Sequence, residues 1–116
     1  AADGPEDAAT IAADIAKLEG DAAKSAQVAD ILADLYQQVG YWDRALEMAR
    51  LSLRLAPNAP GPPLRLGYLE IALGRLKSGT EYYRKAIALA PGAAEPHVAL
   101  ALAHELAGDT ASAETE

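Results

Sequence analysis

Cysteine is absent from the 116 residues, so disulfides, thiolate nucleophiles and thiolate metal sites are excluded. An exported protein is not excluded, because an oxidising compartment permits disulfides without requiring them. Phenylalanine is also missing, and tryptophan occurs once. A core with so few large aromatics must be assembled from small and aliphatic side chains. The abundant alanines, which have the highest helix propensity, point to thin helices packed closely. Strand formers are too few for a sheet. No apolar run approaches the roughly 20 residues of a membrane span, and membrane insertion is not expected. Positive charge is in deficit too, with a formal net charge of -7. That balance argues against a nucleic-acid ligand, whose partner surface would be basic.

The charges are unevenly placed. Residues 1–43 carry nine acids and two bases, residues 44–89 eight bases and three acids, and residues 90–116 five acids and no base. A basic middle between acidic ends is either a soluble surface with local ion pairs or a field that steers an acidic partner. The start at Ala1-Ala2 fits a trimmed chain or a mature protein freed of its signal peptide. Cytoplasmic and exported locations are therefore equal expectations for a soluble protein.

What is present is a repeat of 34 residues. Leu32 and Leu66, Gly40 and Gly74, Leu53 and Ile87, Leu55 and Leu89, Ala56 and Ala90, and Pro57 and Pro91 all share that offset, which continues to Leu100 and Gly108. Periods of this size mark stacked units, none of which buries its apolar side alone. The unit boundaries follow as 26–59, 60–93 and an incomplete 94–116, preceded by an N-terminal packing helix over 5–20, all within one domain.

Apolar periodicity predicts six helices. The first spans about 5–19 through Ile11, Ile15 and Leu18, with Pro5, Glu6 and Asp7 in its first turn and Gly20 ending it. Asp21 is the expected cap of a second, 22–39, whose apolar side is Val28, Ile31, Leu32, Leu35, Tyr36 and Val39. Gly40 closes that helix. A third runs from Asp43 to about 56, with Ala45, Leu46, Ala49, Leu53 and Leu55 inward. Pro62 or Pro63 opens a fourth, apolar on several sides, that ends at Gly74. The fifth spans 76–90, and its Gly79 suggests close approach of a neighbouring helix. A sixth covers 94–107, with a turn expected at Gly108, Asp109 capping, and only a frayed turn or two beyond.

On these residues the chain resembles the tetratricopeptide-repeat family. Leu32, Tyr36, Gly40, Ala45 and Pro57 match its pattern in the first unit, and Leu66, Gly67, Gly74, Gly79, Tyr83, Ala86 and Pro91 in the second. Leu100, Ala101, Gly108 and Ala113 continue it. Ala29, Ala33, Pro63 and Glu70 depart from the family's tryptophan, glycine and tyrosine positions. The resemblance implies an all-α fold of antiparallel hairpins stacked as a short right-handed superhelix, and a concave face, lined by first helices, that binds a protein or peptide ligand. Its groove positions map to Gln27, Asp30, Ile31, Asp34, Gln37 and Gln38, then Gly61, Leu64, Arg65, Tyr68, Ile71 and Ala72, then Glu95, Val98, Ala99, Leu102, Glu105 and Leu106. A family clamp for a C-terminal carboxylate uses cations and amides, whereas Asp30 and Asp34 stand there and Arg65 is the one cation.

No nucleophile–base pair or metal cluster emerges. His97 and His104 lie two turns apart, roughly 10 Å along a helix, and are expected at packing positions. No cofactor is implied, and no enzyme. The reading is therefore a non-catalytic interaction module whose partner-binding residues are Gln27, Asp30, Asp34, Gln37, Gln38, Leu64, Arg65, Tyr68 and Ile71. Its rival is a self-association module, in which Val98, Leu102 and Leu106 of the last helix meet a second copy or another domain, since repeat arrays need a polar cap.

Overall fold

A computed structural model describes residues 8–22 and 24–115, with side chains over 9–22 and 24–108. The expectations for Pro5, Glu6 and Asp7 lie outside the described residues. Six α-helices and no strand occur among those described: α1 (Ala8–Ala22), α2 (Ala26–Gln38), α3 (Trp42–Leu55), α4 (Gly61–Ala72), α5 (Leu76–Leu89) and α6 (Ala94–Thr115). The chain divides into two compact units, one through Leu55 and one from Ala56.

In the first unit α2 and α3 form a hairpin closed by Gly40, whose φ of +82° suits a residue without a Cβ. The Gly40 N–H donates to Gln37 O at 3.1 Å and the Tyr41 N–H to Tyr36 O at 2.9 Å. These paired bonds satisfy two carbonyls that the helix end would leave open. Ala29, Leu32, Ala33, Ala45 and Ala49 are fully buried, so alanine does bring the backbones close. The inward set of α3 differs from the sequence expectation at its end: Leu55 is exposed, and Ser52 takes the buried place. Ser52 continues the Ala45 and Ala49 stripe, and its hydroxyl donates to Ala26 O at 3.0 Å, which removes the cost of burying it. Ile31 and Val39, expected on the apolar side of α2, are likewise exposed.

The α1–α2 junction also differs. Gly20 does not end α1, which continues to Ala22, and Asp21 is not a cap. Ser25 caps α2 instead, its side chain accepting from the Val28 N–H at 3.3 Å. Gly20 has nothing within 4 Å of the position a Cβ would take, and no left-handed turn forms there to stop the helix.

In the second unit α4 opens with Pro62 and Pro63 in its first turn, where a missing N–H costs no helical bond. Gly74, again at φ +82°, closes the α4–α5 hairpin. The Gly74 N–H donates to Ile71 O at 3.0 Å and the Arg75 N–H to Glu70 O at 2.9 Å, repeating the Gly40 turn. Leu66, Leu69 and Ala86 are fully buried. Glu70, which stands at the family's tyrosine position, is buried as well and pairs with Arg75 Nη1 at 3.1 Å. The turn expected at Gly108 is absent, because α6 runs on to Thr115. Residues 110–116 hold no large apolar side chain, so folding back would bury little, while alanine favours continued helix.

Candidate interaction site

Two helix pairs in the second unit place the candidate site. Gly67 on α4 lets Tyr83 of α5 come so close that a Cβ on Gly67 would lie 2.3 Å from the ring. Held there, Tyr83 is buried, packs with Ala99 and Ala103 of α6, and takes Leu64, Ile71 and Leu100 around it. Tyr68 sets its ring edge-on to Tyr83, with centroids 5.6 Å apart and an interplanar angle of 72°. Above this floor opens a cleft of about 220 Å³ lined by Tyr68, Ile71, Tyr83, Ala99, Leu102, Ala103 and Leu106.

The lining is apolar and its rim carries the polar groups. The Tyr68 hydroxyl donates to Glu95 Oε1 at 2.9 Å, so one end of the cleft holds a carboxylate. Tyr68 has its pKa raised by burial, and the Glu95 hydrogen bond and charge add to this. Burial, helped by the neighbouring Tyr68 charge, pushes Tyr83 up to about 12. An unfolded tyrosine ionises near pH 10, so between pH 10 and 12 the unfolded chain loses a proton that the folded chain keeps. Stability from this group is thus complete below pH 10 and is lost as pH rises toward 12. Denaturation midpoints across pH 9–12 are expected to fall, and Tyr83→Phe to flatten that fall.

Tyr68, Ile71, Leu102 and Leu106, all expected among the groove positions, share this cleft, and the two leucines were also the expected uncovered residues of the last helix. Leu102 is 60% exposed and Leu106 45%. Val98 is exposed but is not part of the lining, and Leu64 packs into the core around Tyr83. Arg65 is half-buried and engaged in an interaction of its own. The contribution of Ala103 and the Tyr68–Glu95 bond escaped the sequence reading. The signal for Ala103 was its place four residues after Ala99, on the stripe between the two leucines.

The remaining expected residues lie on α2 of the first unit. Gln27 and Gln38 are exposed, Asp30, Asp34 and Gln37 half-buried. Gln38 Nε2 donates to Asp34 Oδ2 at 2.7 Å, which joins two of them in one polar strip. That unit also has a cleft of about 290 Å³ bordered by Ile15, Glu19, Tyr36, Tyr41 and Arg44 among others. There Glu19 accepts from the Tyr36 hydroxyl and pairs with Arg44 at 3.7 Å. Burial, then Glu19, raises the Tyr36 pKa.

His97 and His104 are both exposed rather than at packing positions. His97 Nε2–H donates to Pro91 O at 3.0 Å, so its side chain serves the loop before α6. Among the described residues no His, Asp or Glu cluster converges as a metal site, and no helix is long and apolar enough to cross a membrane.

Two glycine-closed hairpins of like geometry define a helical-hairpin repeat protein. The chain resembles the tetratricopeptide-repeat family, whose model matches residues 64–92. No curated protein matches the chain. Among solved structures, a crystal structure of MamA is similar over 85% of this chain and 60% of that one, at 20% identity and a TM-score of 0.79. MamA AMB-1 is 28% identical, with a TM-score of 0.70 over 81% of this chain and 53% of that one. This chain therefore spans less than two thirds of those MamA chains. The first tetratricopeptide domain of Spaghetti (RPAP3), bound to the HSP90 peptide SRMEEVD, matches at 17% identity and a TM-score of 0.74, over 85% of this chain and 78% of that one.

Proposed function

We propose that the protein is a non-catalytic interaction module whose second unit takes a peptide or protein segment, with α4 and α6 supplying the apolar contact. The observation that carries this reading is the cleft, where Tyr68, Ile71, Leu102 and Leu106 converge on a rigid Tyr83 floor and stay open to solvent. A preformed apolar recess with few polar rim groups is a usual place for a ligand side chain. Solved domains of similar fold hold peptides, which supports the same reading. In the first unit, taken by itself, the Asp34–Gln38 strip on α2 presents donors and acceptors of the kind a peptide backbone uses.

Peptides selected on the protein from a random heptapeptide library provide the test. Tyr68→Ala is expected to weaken their binding about tenfold, in line with aromatic anchors at interfaces, and Asp34→Arg to weaken it less. Far-ultraviolet circular dichroism should be unchanged in both. Full affinity in both variants overturns the reading.

A second reading is favoured by one observation, the exposure of Val98, Leu102 and Leu106 along α6. In it, α6 docks on a second copy or another domain. Sedimentation over a range of protein and salt concentrations separates the two: a concentration-dependent dimer supports self-assembly, and a monomer throughout disfavours it.

A further inference from the structure

We infer that the α4–α6 cleft selects a basic segment, in which a lysine or arginine head meets Glu95 at one end while apolar side chains lie on Leu102 and Leu106. This rests on the cleft being the recognition site. Helical phase carries the placement. At about 100° per residue, Ale99-type drift is small: Ala99, Leu102 and Leu106 all fall within about 40° of Glu95 around α6, so the carboxylate heads the same face that lines the cleft. The opposite wall fixes it there, because the hydroxyl of Tyr68, itself part of the lining, donates to Glu95 Oε1 at 2.9 Å. Glu105 does not share this position. Its phase differs from that of Glu95 by about 80°, and it is not part of the lining.

The cleft is therefore unlike at its two ends, acidic at the start of α6 and apolar from Ala99 onward. Glu95 is exposed; it gives one lone pair to the Tyr68 hydroxyl and keeps further acceptor capacity. No cation lines the cleft, and Arg65 of α4 is engaged in an interaction of its own. Residues 90–116 hold five acids and no base, so no side chain of α6 offsets the carboxylate. The stem of a lysine or arginine is apolar and its head is charged, which lets one side chain cross Ala99 and still reach Glu95. An acidic segment meets repulsion there, and a neutral one leaves the carboxylate unanswered.

Random heptapeptides selected on the protein are expected to be richer in lysine and arginine than the starting library. Selection on Glu95→Gln should lose that enrichment and keep the apolar residues. Glutamine can still accept the Tyr68 bond, so this variant removes the charge alone. Glu105→Gln removes the same charge from a different face of α6, and its selected peptides should stay basic. Fluorescence anisotropy of one selected peptide gives the magnitude. At 50 mM NaCl, glutamine in place of its basic residue should weaken binding roughly two- to fivefold, the range for one exposed ion pair. That penalty should vanish in Glu95→Gln, and at 1 M NaCl, where screening acts within about 3 Å, but persist in Glu105→Gln. Peptides no more basic than the library, or a penalty as large in Glu95→Gln as in the parent, overturn the inference. So does a penalty lost equally in both variants, which marks general attraction to an acidic protein. In each of these cases binding that still falls with Tyr68→Ala leaves the cleft standing as the recognition site, whereas binding indifferent to Tyr68→Ala, or a library without binders, removes both.

Discussion

Tyr83→Ala is expected to destabilise the second unit by about 3–5 kcal/mol, the usual cost of truncating a large buried aromatic. Its ring is 2% exposed and fills the space between three helices: Gly67 and Tyr68 of α4 on one side, Ala99 and Ala103 of α6 on the other. The neighbours on α6 are alanines, which have no side chain to swing into the void, so relaxation is small and the cavity term stays. Tyr83→Phe keeps the packing and should stay within about 1.5 kcal/mol of the parent. Urea denaturation followed by circular dichroism reads both values. Ligand binding should vanish with Tyr83→Ala before the fold does, because the floor of the cleft goes with the ring.

Gly67→Ala approaches the same contact from the other helix. Alanine at an interior helix position ordinarily gains about 0.8–1 kcal/mol over glycine. Here the new methyl would lie 2.3 and 2.4 Å from two ring carbons of Tyr83, and that ring is held against Ala99 and Ala103 on the far side. Overpacking of this kind costs about 1–3 kcal/mol net, so the substitution is expected to destabilise in spite of propensity. Gly79→Ala is the internal comparison. Its methyl would meet Ile71 Cδ1 at 2.4 Å and Cγ1 at 2.7 Å, the outer part of a half-buried side chain beside the open cleft, and the Gly67 carbonyl oxygen at a milder 3.2 Å. Its stability change is expected to remain below that of Gly67→Ala. A shift of Ile71 into the cleft should nevertheless reduce ligand affinity, which makes Gly79→Ala a binding variant more than a stability variant.

These contacts also show what could be read from the residues. The all-α hairpins were readable because two glycines and two prolines recur at one offset, and glycine at a left-handed helix end is a local requirement that no distant contact overrides. Gly20 and Gly108 carry the same letter without the same role. At Gly20 no left-handed turn forms, and at Gly108 the helix runs on to Thr115. Glycine alone is therefore an ambiguous stop, and the residues after it decide. The burial of Ser52 and Glu70 was not read from the sequence: helical phase places both among buried neighbours, and their hydrogen-bond partners make that burial tolerable. For the site, Tyr68, Ile71, Leu102 and Leu106 were each readable as groove or surface positions. The resemblance set them on one face, but the floor beneath them was not readable, since it depends on Tyr83 being drawn toward Gly67.

The account stands on one claim, that recognition occurs in the cleft between α4 and α6. Amide correlation spectra of the isotope-labelled protein, titrated with a library-selected peptide, test it most directly. The largest shifts are expected at Tyr68, Ile71, Ala99, Leu102, Ala103 and Leu106. Shifts confined to the depression around Ser78, Glu81, Tyr82 and Lys85 on α5, or to the Glu19–Tyr36–Arg44 cleft of the first unit, would contradict it.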